Sequence, residues 1–142
     1  MRVVLADDEA LLREGLSRLL AEAGIEVVGK AASAPEALRS VALTRPDVAI
    51  FDIRMPPGNA DDGLVAAQQV RREHPEIGVL VLSHHLEARY ALRLLEDAPE
   101  RVGYLLKERV SDLAVLVDHA LALVDAAQCV DQHGELGHTL LE

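Results

Sequence analysis

The chain has 142 residues and carries 24 Asp+Glu against 14 Lys+Arg, a formal net charge of −10. That length suits one domain, and so acidic a surface repels phosphate backbones, which argues against nucleic-acid binding by this segment. Half of the residues are hydrophobic but only 2% are aromatic, so the core must come from Leu, Val, Ile and Ala, and a single cysteine excludes an intramolecular disulfide.

Arg2 to Ala6 reads as a short strand, stopped by Asp7-Asp8-Glu9. Leu12, Leu16, Leu19, Leu20 and Ala23 then fall on one helical face, and Gly24 closes that helix. Ile25 to Ala32 reads as a second strand. Ser33-Ala34-Pro35-Glu36 is a helix start, with proline early and an acid at the positive end of the dipole. Ala34, Ala37, Leu38 and Val41 form its buried face, and Arg45-Pro46 ends it. Asp47 to Phe51 is the third strand, followed by an irregular loop from Met55 to Asp61, rich in Pro, Gly and Asn. Asp62-Gly63 opens a third helix, apolar at Ala66, Ala67 and Val70. Ile77 to Leu82 is a fourth strand, Glu87 to Glu96 a fourth helix, and Val102 to Leu106 a fifth strand. Ser111 starts a fifth helix with an apolar stripe at Leu113, Leu116, Val117, Ala120, Leu121 and Val124. From Ala127 the pattern weakens.

Strand and helix alternate with short connections. This predicts an α/β fold, a doubly wound parallel sheet with helices on both faces. The strands are continuous apolar runs, as burial on both faces requires. Each strand end carries something polar: Asp7 and Asp8 after the first, Asp52 on the third, Ser83 after the fourth, Lys107 after the fifth. Open α/β sheets keep their ligands at this edge. In a flavodoxin-like strand order of 2-1-3-4-5, the three aspartates converge. Their mutual repulsion calls for a hard divalent cation such as Mg²⁺. A carboxylate beside Mg²⁺ can attack phosphorus, with Lys107 and the Ser83 hydroxyl to stabilise the transferred group.

This set resembles the receiver domain of two-component response regulators, with Asp52 in Asp-Ile-Arg-Met-Pro and Lys107 in Gly-Tyr-Leu-Leu-Lys. Leu11-Leu12-Arg13-Glu14-Gly15-Leu16 is similar to the NarL/FixJ-like group, whose receiver precedes a helix-turn-helix output domain. The resemblance implies a (βα)5 receiver over residues 1–127, with 128–142 a tail or the start of a linker to an absent output domain. It implies Asp52 as phosphoacceptor and Mg²⁺ held by Asp7, Asp8, Asp52 and the backbone carbonyl of Arg54. Ser83 and Tyr104 would be the switch pair. A sensor histidine kinase would be the donor, a homodimer a possible state, and a transcriptional change the output, with autophosphatase activity at most. The chain departs from the family's usual pattern in its longer loop over 56–63, expected to overhang the site, in His84 after Ser83, and in Ser rather than Thr as the switch hydroxyl.

Each residue also has a plainer role. Asp7-Asp8 can cap a helix, Asp52 can be a turn residue, Ser83 an N-cap, Lys107 a solvated charge, Tyr104 core, and His84-His85 an exposed pair. Cys129, His133 and His138 fit no standard zinc spacing. Two rival functions stand beside the receiver. One is an aspartyl-nucleophile phosphatase, which places a second acid two residues after the nucleophile, where this chain has Arg54. The other is a receiver-like dimerisation module that is never phosphorylated. No apolar run reaches the roughly 20 residues that span a bilayer, and strand-like sequence from the first residues leaves no room for a signal peptide. The expectation is a cytoplasmic protein.

Overall fold

A computed structural model describes residues 1–58, 60–84, 101–107 and 113–124. The apolar runs become five strands: β1 (Arg2–Ala6), β2 (Glu26–Ala31), β3 (Val48–Asp52), β4 (Gly78–Ser83) and β5 (Val102–Leu106). All pair in parallel in the order β2-β1-β3-β4-β5. The described helices are α1 (Ala10–Glu22), α2 (Ala34–Thr44), α3 (Asp62–Glu73) and α4 (Leu113–Val124). The helix expected over 87–96 and the tail from 125 lie outside the described residues.

The side-chain alternation of each strand splits the core into two layers. Val4, Ala6, Ala49 and Phe51 face Ala37 and Val41 of α2 and Leu64, Ala67 and Val70 of α3. Val3, Leu5, Ile50, Leu80 and Leu105 face Leu16 and Leu20 of α1 and Leu116 and Leu123 of α4. β3 and β4 are buried at every position, whereas β2, at the edge, is half-exposed over Glu26–Lys30. Phe51, the chain's one phenylalanine, is fully buried. A side chain of that size contributes about 1.5–3 kcal/mol by leaving water.

The helix ends follow from local chemistry. Gly24 sits at φ 85, and the amides of Gly24 and Ile25 donate to Ala21 O and Leu20 O at 3.0 and 2.9 Å. This pair of reversed bonds satisfies carbonyls that the end of α1 would leave open. At α2 the Glu36 amide donates to Ser33 Oγ at 3.3 Å, while Glu36 Oε1 accepts from the Ala32 amide at 2.8 Å. Buried Arg71 at the end of α3 donates to Pro75 O and Ile77 O, at 2.9 and 2.7 Å, and so fixes the entry to β4.

Two side chains differ from their expected places. Ala23, put on the apolar face of α1, is exposed, because it is the C-cap residue beyond the last turn. Leu121, put on the buried stripe of the last helix, is 50% exposed, and Leu123 is buried in its stead. Leu116, Ala120 and Leu123 follow the i, i+4, i+7 spacing of one face, and Leu121 lies about 100° round from Ala120.

Candidate functional site

The register decides what meets at the carboxyl edge. Ala6 pairs with Phe51, Asp52 with Leu82, and Ser83 with Leu106. The strands therefore stop in step, and the residues that end or follow them share one rim. Asp7, Asp52, Ser83 and Lys107 are all buried there, while Asp8 is exposed.

Asp7 is the best anchored of the acids. Its amide donates to Ala31 O at 3.0 Å, and its Oδ1 accepts from the Glu9 amide at 2.9 Å. Arg13 of α1 donates to the Asp7 carbonyl at 2.7 Å. Asp7 Oδ2 is fully buried with no hydrogen-bond donor, although Lys107 Nζ stands 3.0 Å away as a charge partner of poor angle. Lys107 Nζ also lies 3.2 Å from Asp52 Oδ1 and 3.1 Å from Glu9 Oε1. Three carboxylates thus surround one ammonium whose side chain is 3% exposed.

Burial raises the pKa of Asp52 first, and the Asp7 charge raises it further; Lys107 opposes both, and the result is a carboxyl pushed up to about 7. Burial works against the Lys107 charge, but Asp52, Asp7 and Glu9 outweigh it, so its pKa lies above the ordinary lysine value. The Lys107 hydrogen bond and charge hold Glu9 below the usual carboxylate range, with a smaller contribution from His84.

The donor set fits a hard divalent cation. Asp7, Asp8 and Asp52 each offer a carboxylate oxygen, all within 4.8 Å of one another. Asp7 Oδ2 is a buried oxygen without a donor, and exposed Asp8 opens the cluster to solvent.

The remaining expected residues fall around this centre. Arg54 is exposed in the turn after β3, and Met55 behind it is fully buried and anchors that turn. Tyr104 is fully buried, on the same side of the sheet as the core residues of α2 and α3. His84 is exposed, with Nε2 3.5 Å from Glu9 Oε1. In the loop after β3, Pro56 O accepts from the Ala34 amide of α2 at 3.0 Å, and Asp62 Oδ2 accepts from the Gly58 amide at 3.2 Å. A cavity of about 260 Å³ separates Pro57, Asp61 and Asp62 from Pro35 and Leu38 of α2. His85, Cys129, His133 and His138 lie outside the described residues.

Sequence reasoning missed three residues. Glu9 was read only as part of the stop after β1, yet it completes the shell of Lys107. Its sole signal was its place beside the aspartate pair. Arg13, one turn into α1, holds the Asp7 carbonyl. Gly63 was read as a helix opener, yet a side chain there would overlap the Asp52 and Ile53 carbonyl oxygens.

Fold and rim together define a doubly wound α/β protein that presents a buried acid, a cluster of three aspartates and a lysine at the carboxyl edge of its sheet. The chain belongs to the response regulator receiver domain family, which matches residues 3–119. It is 36% identical over 117 residues to the oxygen regulatory protein NreC of Staphylococcus epidermidis, covering 82% of this chain and 52% of that protein. It is 35% identical over 139 residues to the transcriptional regulatory protein DegU of Brevibacillus brevis, covering 97% of this chain and 53% of that protein. Among solved structures, the signal receiver domain of the response regulator NarL from Mycobacterium tuberculosis superposes with a TM-score of 0.69 at 35% identity, over 84% of this chain and 94% of that one. The chain spans about half the length of the curated relatives it matches. Among the described residues no helix is long and apolar enough to cross a membrane.

Proposed function

We propose that this domain accepts a phosphoryl group on Asp52 from a sensor histidine kinase or a small phosphodonor, and that the modified site reshapes a surface controlling a transcriptional output. The observation that carries this reading is Asp52 itself: a buried carboxylate 3.2 Å from the Lys107 ammonium and clustered with Asp7 and Asp8. An Asp52 oxygen attacks phosphorus and the bond to the donor breaks: the P–N bond of phosphohistidine, with imidazole leaving, or the P–O bond of an acyl phosphate, with its carboxylate leaving. Lys107 neutralises charge that develops on the phosphoryl oxygens, and the Ser83 hydroxyl donates to them. Asp7, Asp8, Asp52 and the Arg54 carbonyl would hold Mg²⁺, which when bound offsets the negative charge of both carboxylates and phosphoryl group.

Ser83 and Tyr104 are the switch pair in this reading. They sit on neighbouring strands, β4 and β5, where Tyr104 pairs in register with Val81. A hydroxyl drawn towards the phosphoryl group vacates space beside the ring, and the change passes to the outer face, where a kinase or a second copy docks. Hydrolysis of the acyl phosphate restores Asp52, which is the extent of any autophosphatase activity. Exposed Arg54 stands where a phosphatase of the aspartyl class needs its general acid.

The test is intact mass after treatment with acetyl phosphate and Mg²⁺. The wild type gains one phosphoryl group and Asp52→Ala does not; equal masses for the two would sink the proposal.

A further inference from the structure

The strand order puts β3 between β1 and β4, so any contact from the end of β1 to the end of β4 must cross the tip of β3. Glu9 follows β1 and His84 follows β4, and they meet at 3.5 Å. The same Glu9 oxygen lies 3.1 Å from Lys107 Nζ, which is itself 3.2 Å from Asp52 Oδ1. A strap of two side chains therefore crosses the edge that carries Asp52 and is fastened to the lysine from outside.

Lys107 has three carboxylate neighbours, Asp7, Asp52 and Glu9, and it donates to Glu9 Oε1 at 3.1 Å. A phosphoryl oxygen that engages this lysine competes with these carboxylates. Asp7 and Asp52 are buried, and losing the lysine would leave an uncompensated charge in the interior. Glu9 is 52% exposed and can be rehydrated at little cost. It also makes no side-chain cap to α1, so that helix does not hold it in place.

We infer that Glu9 is a resident anion that competes with the phosphoryl oxygens for Lys107, held there by His84, and that it gives way when Asp52 is phosphorylated. This rests on the phosphoacceptor reading of Asp52 and adds a positioning pair that sets how readily the site fills. Glu9 acts through Lys107, and His84 acts through Glu9.

The experiment uses the whole chain and two readouts. One is affinity for beryllofluoride at fixed Mg²⁺, followed by fluorine NMR; the other is the rate of phosphorylation by acetyl phosphate, followed by intact mass. Glu9→Gln removes the competing charge. Glu9→Asp keeps the charge but shortens its reach, which separates a direct contact from general repulsion of anions. Both are expected to raise affinity and rate roughly two- to fivefold, the worth of a half-exposed ion pair, with the thermal midpoint unchanged. His84→Ala gives a smaller gain in the same direction and adds nothing in the Glu9→Gln background.

A gain in Glu9→Gln with none in Glu9→Asp overturns the inference, as does a His84→Ala effect that persists without Glu9. If the wild type is phosphorylated at Asp52 and both Glu9 variants match it, only the strap falls. If the wild type takes up no phosphoryl group at all, the phosphoacceptor reading falls with it.

Discussion

Asp52 is in conflict with its surroundings. It is 5% exposed, faces the Asp7 charge, and has one ammonium to share with two other carboxylates. Its pKa of about 7 stands above the ordinary 3.8. A folded-state pKa raised above the unfolded one means that the folded chain binds the extra proton between these two values. The stabilisation is complete below the unfolded pKa and is lost as pH rises through the folded one. Without divalent cations, the wild type is thus expected to lose stability between about pH 4 and pH 7, by on the order of 4 kcal/mol at most. Asp52→Asn removes this slope and is the more stable of the two near neutrality; urea unfolding of both in EDTA across that range checks it. A wild type with no greater slope than the variant would show that Asp52 ionises without strain. Most of this centre was legible beforehand, since Asp7, Asp8, Asp52, Ser83 and Lys107 each end or follow an apolar run. Glu9 was not, because its partner Lys107 is 98 residues away. Only the common rim brings them together.

At the scale of elements, the start of α3 has to pack directly against the end of β3. The Gly63 amide donates to Ile53 O at 2.8 Å, and a Cβ at Gly63 would overlap the Asp52 and Ile53 carbonyl oxygens. Backbone atoms cannot step aside as a side chain can, so Gly63→Ala must push α3 away from the strand that carries Asp52. It is expected to cost about 1–3 kcal/mol and to slow phosphorylation as well. Gly15 in the middle of α1 is the opposite case: a Cβ there meets nothing within 4 Å. Gly15→Ala should stabilise by about 0.5–1 kcal/mol and leave phosphorylation unchanged. Thermal melts of the two variants give opposite shifts if the packing is as described. Sequence alone cannot separate these glycines, since both sit in helices and the difference is what approaches from outside the element. The same limit explains Leu121 and Leu123, where an all-apolar stretch lets several faces look alike and the packing of α4 on β4 picks one. β1 and β5, by contrast, are legible to the residue because a charged side chain follows each short apolar run, Asp7 after β1 and Lys107 after β5.

At the scale of the whole molecule, a chain with a formal charge of −10 gathers three of its acids within 4.8 Å at one edge. Salt of any kind relieves the overall repulsion by screening, and that effect depends on ionic strength alone. A cation that sits among Asp7, Asp8 and Asp52 does something different: it binds the folded chain and not the unfolded one. It then stabilises by mass action, about 2.7 kcal/mol at a hundred times its dissociation constant. The two contributions are separable by matching ionic strength. Mg²⁺ should raise the thermal midpoint of the wild type further than NaCl at the same ionic strength. Asp8→Asn should abolish that excess and keep the response to NaCl. Asp8 suits the purpose because it is exposed, so its charge can be removed without opening a hole in the core. Equal shifts by both salts in the wild type would mean that the three aspartates only repel one another and that the edge holds no cation.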